Sequence, residues 1–234
     1  MPVNATETNR KQTNIEGAAL PINELFYSLQ GEGRLAGTPT VFVRTSGCNL
    51  RCWFCDSYHT SWEPTHAWMG LDSIIEEINA YENANHVVLT GGEPLMHDEA
   101  EQLLVELANQ GYHTTVETNG TFDSDAPIDL ASISPKLASS TPTPERAPTD
   151  ADDWEKKHEQ RRIDMGALTG LIGSYDYQLK FVVTGQDDMP EINELVSRIR
   201  EATTESVPDE KIPLMPEGQT REALADTRET VAEL

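Results

Sequence analysis

Cysteine, basic residues and long apolar runs are all scarce in this chain. It has three cysteines in 234 residues, all between Cys48 and Cys55. Lys and Arg total 17 against 40 Asp and Glu. No apolar run approaches the roughly 18 residues that cross a bilayer. Each shortage excludes something. An odd, tightly spaced trio of thiols is no disulfide framework. A net charge of −23 repels nucleic acid, whose phosphates need basic partners. The stretch Met1 to Gly17 is polar and has no apolar core of a leader peptide, so neither a membrane nor export is expected. A reducing cytoplasm suits grouped thiols.

At 26.0 kDa the chain fits one domain with a sizeable core. Residues 1–20 read as a polar N-terminal extension and 21–234 as a single domain. The acids are spread over apparent helical faces rather than gathered in a tail, as suits a halophilic, high-salt cytoplasm that screens self-repulsion. The window from Leu25 to Thr60 breaks this pattern, with Arg34, Arg44 and Arg51 against Glu32 and Asp56. Such an island suggests an anionic ligand, though surface ion pairing would leave the same trace.

The cysteines lie in Ser46-Gly-Cys-Asn-Leu-Arg-Cys-Trp-Phe-Cys-Asp-Ser57, a C-x3-C-x2-C spacing. Three thiolates from one loop can hold three irons of a [4Fe–4S] cluster, and no fourth cysteine exists to close it. The remaining iron is then open to an outside ligand. Zinc is the other reading, with His59 completing a Cys3His set.

Strand and helix patterns alternate along the chain. Thr40–Thr45, His86–Thr90, His113–Thr118, Ile128–Ile133, Tyr175–Val183 and Lys211–Met215 read as strands. Helical stripes run over Leu71–Asn83 and Asp98–Gln110, from Asp187 or Asp188 (as cap) through Thr203, and over Thr220–Leu234. About six parallel strands interleaved with helices predict an α/β fold, an incomplete (β/α) barrel, since a complete barrel needs eight. The cysteine loop, Gly91-Gly92, Asn119-Gly120 and Ser134-Pro-Lys136 all follow strands, where such sheets place ligands. Residues 138–164 are polar and Pro-rich, with Trp154 as the large apolar anchor, and read as an insert, a loop or short helix in the position of a lid. His86 and His113, at strand starts, read as structural.

Leu89-Thr-Gly-Gly-Glu-Pro-Leu95 adds a glycine turn after a strand. Together with C-x3-C-x2-C it resembles the radical S-adenosylmethionine superfamily. That resemblance implies a [4Fe–4S] cluster whose open iron is chelated by S-adenosyl-L-methionine. A narrower resemblance comes from Phe26-Tyr-Ser-Leu-Gln-Gly-Glu-Gly33, Gly37-Thr-Pro-Thr-Val-Phe-Val-Arg-Thr45, Cys55-Asp-Ser57 and Ser134-Pro-Lys136. These are similar to the 7-carboxy-7-deazaguanine synthase family, lyases that turn 6-carboxy-5,6,7,8-tetrahydropterin into 7-carboxy-7-deazaguanine with loss of ammonia. Their product serves queuosine and archaeosine, the modified bases of tRNA.

The resemblance implies roles residue by residue. Leu29, Gln30, Gly31, Arg44 and Thr90 would bind the pterin, with Arg44 on its carboxylate. Cys48, Cys52 and Cys55 would hold the cluster, and Ser57 would ligate Mg²⁺. Gly92, Ser134, Pro135 and Lys136 would hold S-adenosyl-L-methionine, and Glu117 would contact substrate or donate a proton. The resemblance also implies a homodimer and a one-electron reductant such as flavodoxin or ferredoxin. Two other functions share parts of the pattern: a glycyl-radical-enzyme activase and a non-enzymatic metal-binding module.

Overall fold

The computed structural model describes residues 17–148, 153–218 and 220–233. Most of the expected N-terminal extension, residues 1–16, lies outside them. The chain divides into two compact units.

The first unit comprises the described residues up to Asn49, then Ser57–Thr118 and Ser124–Ala131. Its elements are β1 (Ala19–Leu29), β2 (Pro39–Thr45), α1 (Tyr58–Ser61), β3 (Ala67–Gly70), α2 (Leu71–Asn79), β4 (His86–Gly91), α3 (Glu99–Asn109), β5 (His113–Thr118) and the opening of β6 (Leu130–Ile133). The strand order is β3-β1-β2-β4-β5, with β6 next. β2, β4 and β5 run parallel, while β1 is antiparallel to both β2 and β3. Val41, Val43, Val87, Val88, Leu89 and Val116 are fully or almost fully buried, as expected for parallel strands covered on both faces. On α3, Ala100, Leu103, Leu104 and Leu107 form the inward stripe. Glu99 and Glu101 in its first turn suit the positive end of the helix dipole.

β1 begins at Ala19, inside the expected extension, and no strand was expected there. Its pairing with β2 is irregular between Ile22 and Glu24. That bulge interrupts the alternation by which a strand is read.

The second unit comprises Leu50–Asp56, Asn119–Asp123 and the described residues from Ser132 onward. It holds the rest of β6, α4 (Trp154–Arg161), α5 (Met165–Ser174), β7 (Tyr177–Leu179), β8 (Phe181–Val183), α6 (Met189–Ala202), β9 (Leu214–Pro216) and α7 (Arg221–Ala232). β7 lies next to β6, and β8 pairs in parallel with β9. The single strand expected over Tyr175–Val183 is therefore two. At the break, the Lys180 amide donates to the Ile133 carbonyl (2.7 Å), and the next amide, Phe181, donates to Pro213 (3.1 Å). Asp188 opens α6 without capping it: its carboxylate accepts from the Thr184 amide (2.6 Å) and hydroxyl (3.0 Å). Among the described residues nine strands are present rather than about six, and no helix is long and apolar enough to cross a membrane.

Two local features generate predictions. At the end of β4 the amides of Gly92 and Glu93 donate to the carbonyls of Thr45 (3.2 Å) and Gly47 (2.9 Å). A Cβ on Gly91 would run into the Thr45 backbone, and one on Gly92 into the Gly47 carbonyl. Gly91 also has φ +135°, which side chains resist. Gly92→Ala should therefore cost about 1–3 kcal/mol or more by overpacking, measured by chemical denaturation; an unchanged midpoint would contradict this packing.

His86 is buried between Thr40 Oγ1 and Thr115 Oγ1, both at 2.8 Å from its ring nitrogens. Thr40 spends its hydroxyl proton on the Thr38 carbonyl (3.0 Å), so His86 Nδ1 carries the hydrogen and Nε2 accepts from Thr115. Burial, with His113 nearby, lowers the His86 pKa from 6.5 to about 4. The unfolded chain thus takes up a proton that the fold refuses. Stability should fall as pH drops from 6.5 toward about 4 and be unaffected by this group above 6.5. Denaturation of wild type and His86→Gln across that range checks it: the variant should show the shallower pH dependence.

Candidate active site

In the first unit a polar row crosses the sheet. Glu24 on β1, Arg44 on β2 and Thr90 on β4 are successive cross-strand partners, so their side chains share one face. Arg44 Nε donates to Glu24 Oε2 (3.0 Å) and Nη1 to Ser57 Oγ (2.9 Å). The Thr90 hydroxyl donates to Glu117 Oε2 (2.8 Å), and Gln30 Nε2 donates to Glu117 Oε1 (3.4 Å). Gln30 Oε1 accepts from the Gly31 amide (2.8 Å). Gln30, Thr90 and Glu117, far apart in sequence, thus form one hydrogen-bonded chain, and Arg44 touches Ser57. Leu29, at the end of β1, is 60% exposed.

Gly92 belongs to the close backbone packing described above. Its neighbour Glu93 is fully buried and accepts from the Leu95 amide (3.0 Å) and the Thr118 hydroxyl (2.8 Å). The glycine pair is therefore explained by chain packing as well as by any ligand.

The second unit carries Cys52, Cys55 and the segment after β6. Lys136 Nζ donates to the Ser134 carbonyl (2.9 Å) and hydroxyl (2.7 Å) across Pro135. Arg51 lies over the Trp154 ring (4.2 Å to the centroid) and donates to the Leu50 carbonyl, whereas Arg44 pairs with Glu24.

Whether the thiols suit an iron–sulfur cluster is a question of donor chemistry. Cys52 is buried, and Cys48 and Cys55 are half-buried. Burial pushes the Cys52 thiol up to about 12, against the pull of the Lys136 charge and a hydrogen bond from Ser140. Without metal that sulfur is a neutral thiol, and a bound metal takes the place of its proton. Among the described residues no three His, Cys, Asp or Glu side chains gather to hold a single ion. Soft thiolates without a fourth cysteine fit an open cluster.

Several contributors were not expected from sequence. Glu24 becomes visible as Arg44's partner only once β1 is recognised. His158, Ser140 and Arg162, all fixed to the cysteine loop or to Lys136 by hydrogen bonds, come from the insert, which carries no periodic pattern.

The Radical SAM superfamily profile matches residues 42–135. A 7-carboxy-7-deazaguanine synthase from Halobacterium salinarum is 63% identical over 234 residues, covering all of this chain and 91% of that protein. One from Rhodopirellula baltica is 42% identical over 212 residues, covering 90% of this chain and 78% of that protein. The crystal structure of QueE from Escherichia coli is 26% identical, with a TM-score of 0.64, covering 92% of this chain and 90% of that one. The α/β, incomplete (β/α)-barrel fold class agrees with these matches. The chain belongs to the 7-carboxy-7-deazaguanine synthase family of the Radical SAM superfamily.

Proposed function

We propose that the protein converts 6-carboxy-5,6,7,8-tetrahydropterin to 7-carboxy-7-deazaguanine with loss of ammonia, in deazapurine biosynthesis. The observation that carries this reading is the joining of Gln30, Thr90 and Glu117 into one chain, in register with Arg44. Cys48, Cys52 and Cys55 would hold the cluster, and Gly92, Ser134, Pro135 and Lys136 would hold S-adenosyl-L-methionine. Once bound, these cofactors supply one-electron radical chemistry at the substrate.

The chain's own residues supply placement and proton control. Glu24 and Ser57 take two of Arg44's donors, leaving others of its five N–H groups for a substrate carboxylate. Glu24 also fixes the guanidinium plane, so the fork is set before substrate arrives. Glu117, held by Thr90 and Gln30, would accept or return a proton at the substrate. Leu29 and Gly31 would border the pterin ring. Ser57 would ligate Mg²⁺, whose hard character suits a hydroxyl oxygen. A cytoplasmic homodimer fed by flavodoxin or ferredoxin completes this reading, in a cell of high internal salt.

The test is anaerobic turnover in high salt of the iron- and sulfide-reconstituted protein, with reductant, Mg²⁺, S-adenosyl-L-methionine and the pterin, and mass spectrometry of products. The deazapurine should form with wild type and vanish with Cys52→Ala. Release of 5′-deoxyadenosine alone would keep radical chemistry but remove this substrate.

Two substitutions separate the roles. Arg44→Ala should lower kcat/KM about 10–100-fold, through KM, for the loss of a charged hydrogen bond. Its cluster content should be unchanged. Glu117→Gln keeps the shape and should lower kcat by about 100-fold or more, as removal of a proton-transfer group does. Wild-type kcat in that variant would exclude Glu117 from proton transfer.

A further inference from the structure

The polar insert, expected as an excursion or lid, is fastened in its described parts to the cysteine loop. Trp53 donates twice to it, from its amide to the Ser140 carbonyl (3.1 Å) and from Nε1 to the Ser139 carbonyl (2.7 Å). Arg51 stacks on Trp154, and Arg146 lies over Trp53 (5.5 Å). Arg162 closes the other end, donating to the Lys136 carbonyl (3.1 Å), Glu159 (2.9 Å) and Glu191 (2.6 Å).

At the centre is His158, fully buried on a helix that is otherwise polar. Its Nδ1 lies 3.1 Å from the Arg51 amide, and its Nε2 lies 2.9 Å from Ser140 Oγ. A backbone amide can only donate, so Nδ1 is bare and Nε2–H donates to Ser140. Burial holds the ring neutral, with a pKa near 4. Ser140 accepts from His158 and spends its own proton on the Leu137 carbonyl (2.6 Å).

We propose that His158 is a positioning residue for the iron–sulfur cluster: it clamps the Arg51 amide, next to Cys52, and fixes Ser140, whose carbonyl receives the Trp53 amide on the other side of that cysteine. This rests on Cys48, Cys52 and Cys55 being the cluster ligands. Groups that hold a metal ligand's loop from outside govern how well the metal is retained. The insert is thus a fixed clamp behind the cluster loop.

The test uses the full chain, reconstituted anaerobically in high salt, as wild type, His158→Leu, His158→Gln and Ser140→Ala. Circular dichroism checks the fold. Iron content, the electron paramagnetic resonance spectrum of the reduced cluster, its potential, and bleaching by an iron chelator are then measured. His158→Leu should bleach about 10-fold faster, as loss of an outer partner does. His158→Gln, which can still donate to Ser140, should recover part of that stability. Ser140→Ala, which removes the ring's partner, should also bleach faster than wild type. Wild-type bleaching and spectrum in a folded His158→Leu protein overturn the proposal. If that variant does not fold, His158→Gln decides: faster bleaching supports the clamp and the wild-type rate overturns it. A wild type that takes up no four-iron cluster would instead bring down the functional reading itself.

Discussion

The end of β4 meets the chain after β2 backbone to backbone, and the site in the first unit depends on that contact. Side chains are excluded there, so Gly92 and Glu93 can send their amides directly to Thr45 and Gly47. The contact fixes the chain one residue before Cys48. It also locks the parallel register of β2 on β4, which pairs Arg44 with Thr90 and Thr45 with Gly91. A slip of one residue would turn Arg44 to the other face and leave Glu24 and Ser57 without it. Glycine at this turn therefore serves the alignment of a guanidinium and a carboxylate as much as any ligand.

The second unit is held by different physics around its cysteines. The insert has almost no apolar surface, so it cannot order itself by hydrophobic burial. Hydrogen bonds and cation–π contacts fix its described parts instead, with Trp154 and His158, one helical turn apart, as the inward pair. A buried polar group without a partner costs about 1–3 kcal/mol. His158 and Ser140 escape that cost because each supplies what the other lacks.

Much of this was legible in the sequence, for a physical reason. β4 and α3 have their own apolar pattern, set by burial on both faces or along one stripe. Gln30, Thr90 and Glu117 were singled out by resemblance, and the fold supplies their contact. What stayed hidden depends on the third dimension. β1 is disguised by its bulge, and β7 and β8 by a break in partners that a continuous run Tyr-Gln-Leu-Lys-Phe-Val-Val does not announce. Asp188 sits where a cap belongs, yet its carboxylate turns back to Thr184. Glu24 and His158 gain meaning from partners 20 and 107 residues away, which no local pattern encodes.

The pairing of Arg44 with Glu24 has a kinetic side. A pterin carboxylate approaching a chain of net charge −23 travels against the field, and Arg44, the cation proposed above to receive it, is already half-neutralised by its neighbour. Long-range attraction cannot speed that encounter. Added salt shortens the reach of the repulsion, so here ionic strength should hasten substrate capture, the reverse of the usual behaviour of electrostatically steered enzymes. On the proposed role of Arg44, recognition is left to the last few ångströms, where its fork is felt and the distant acids are not.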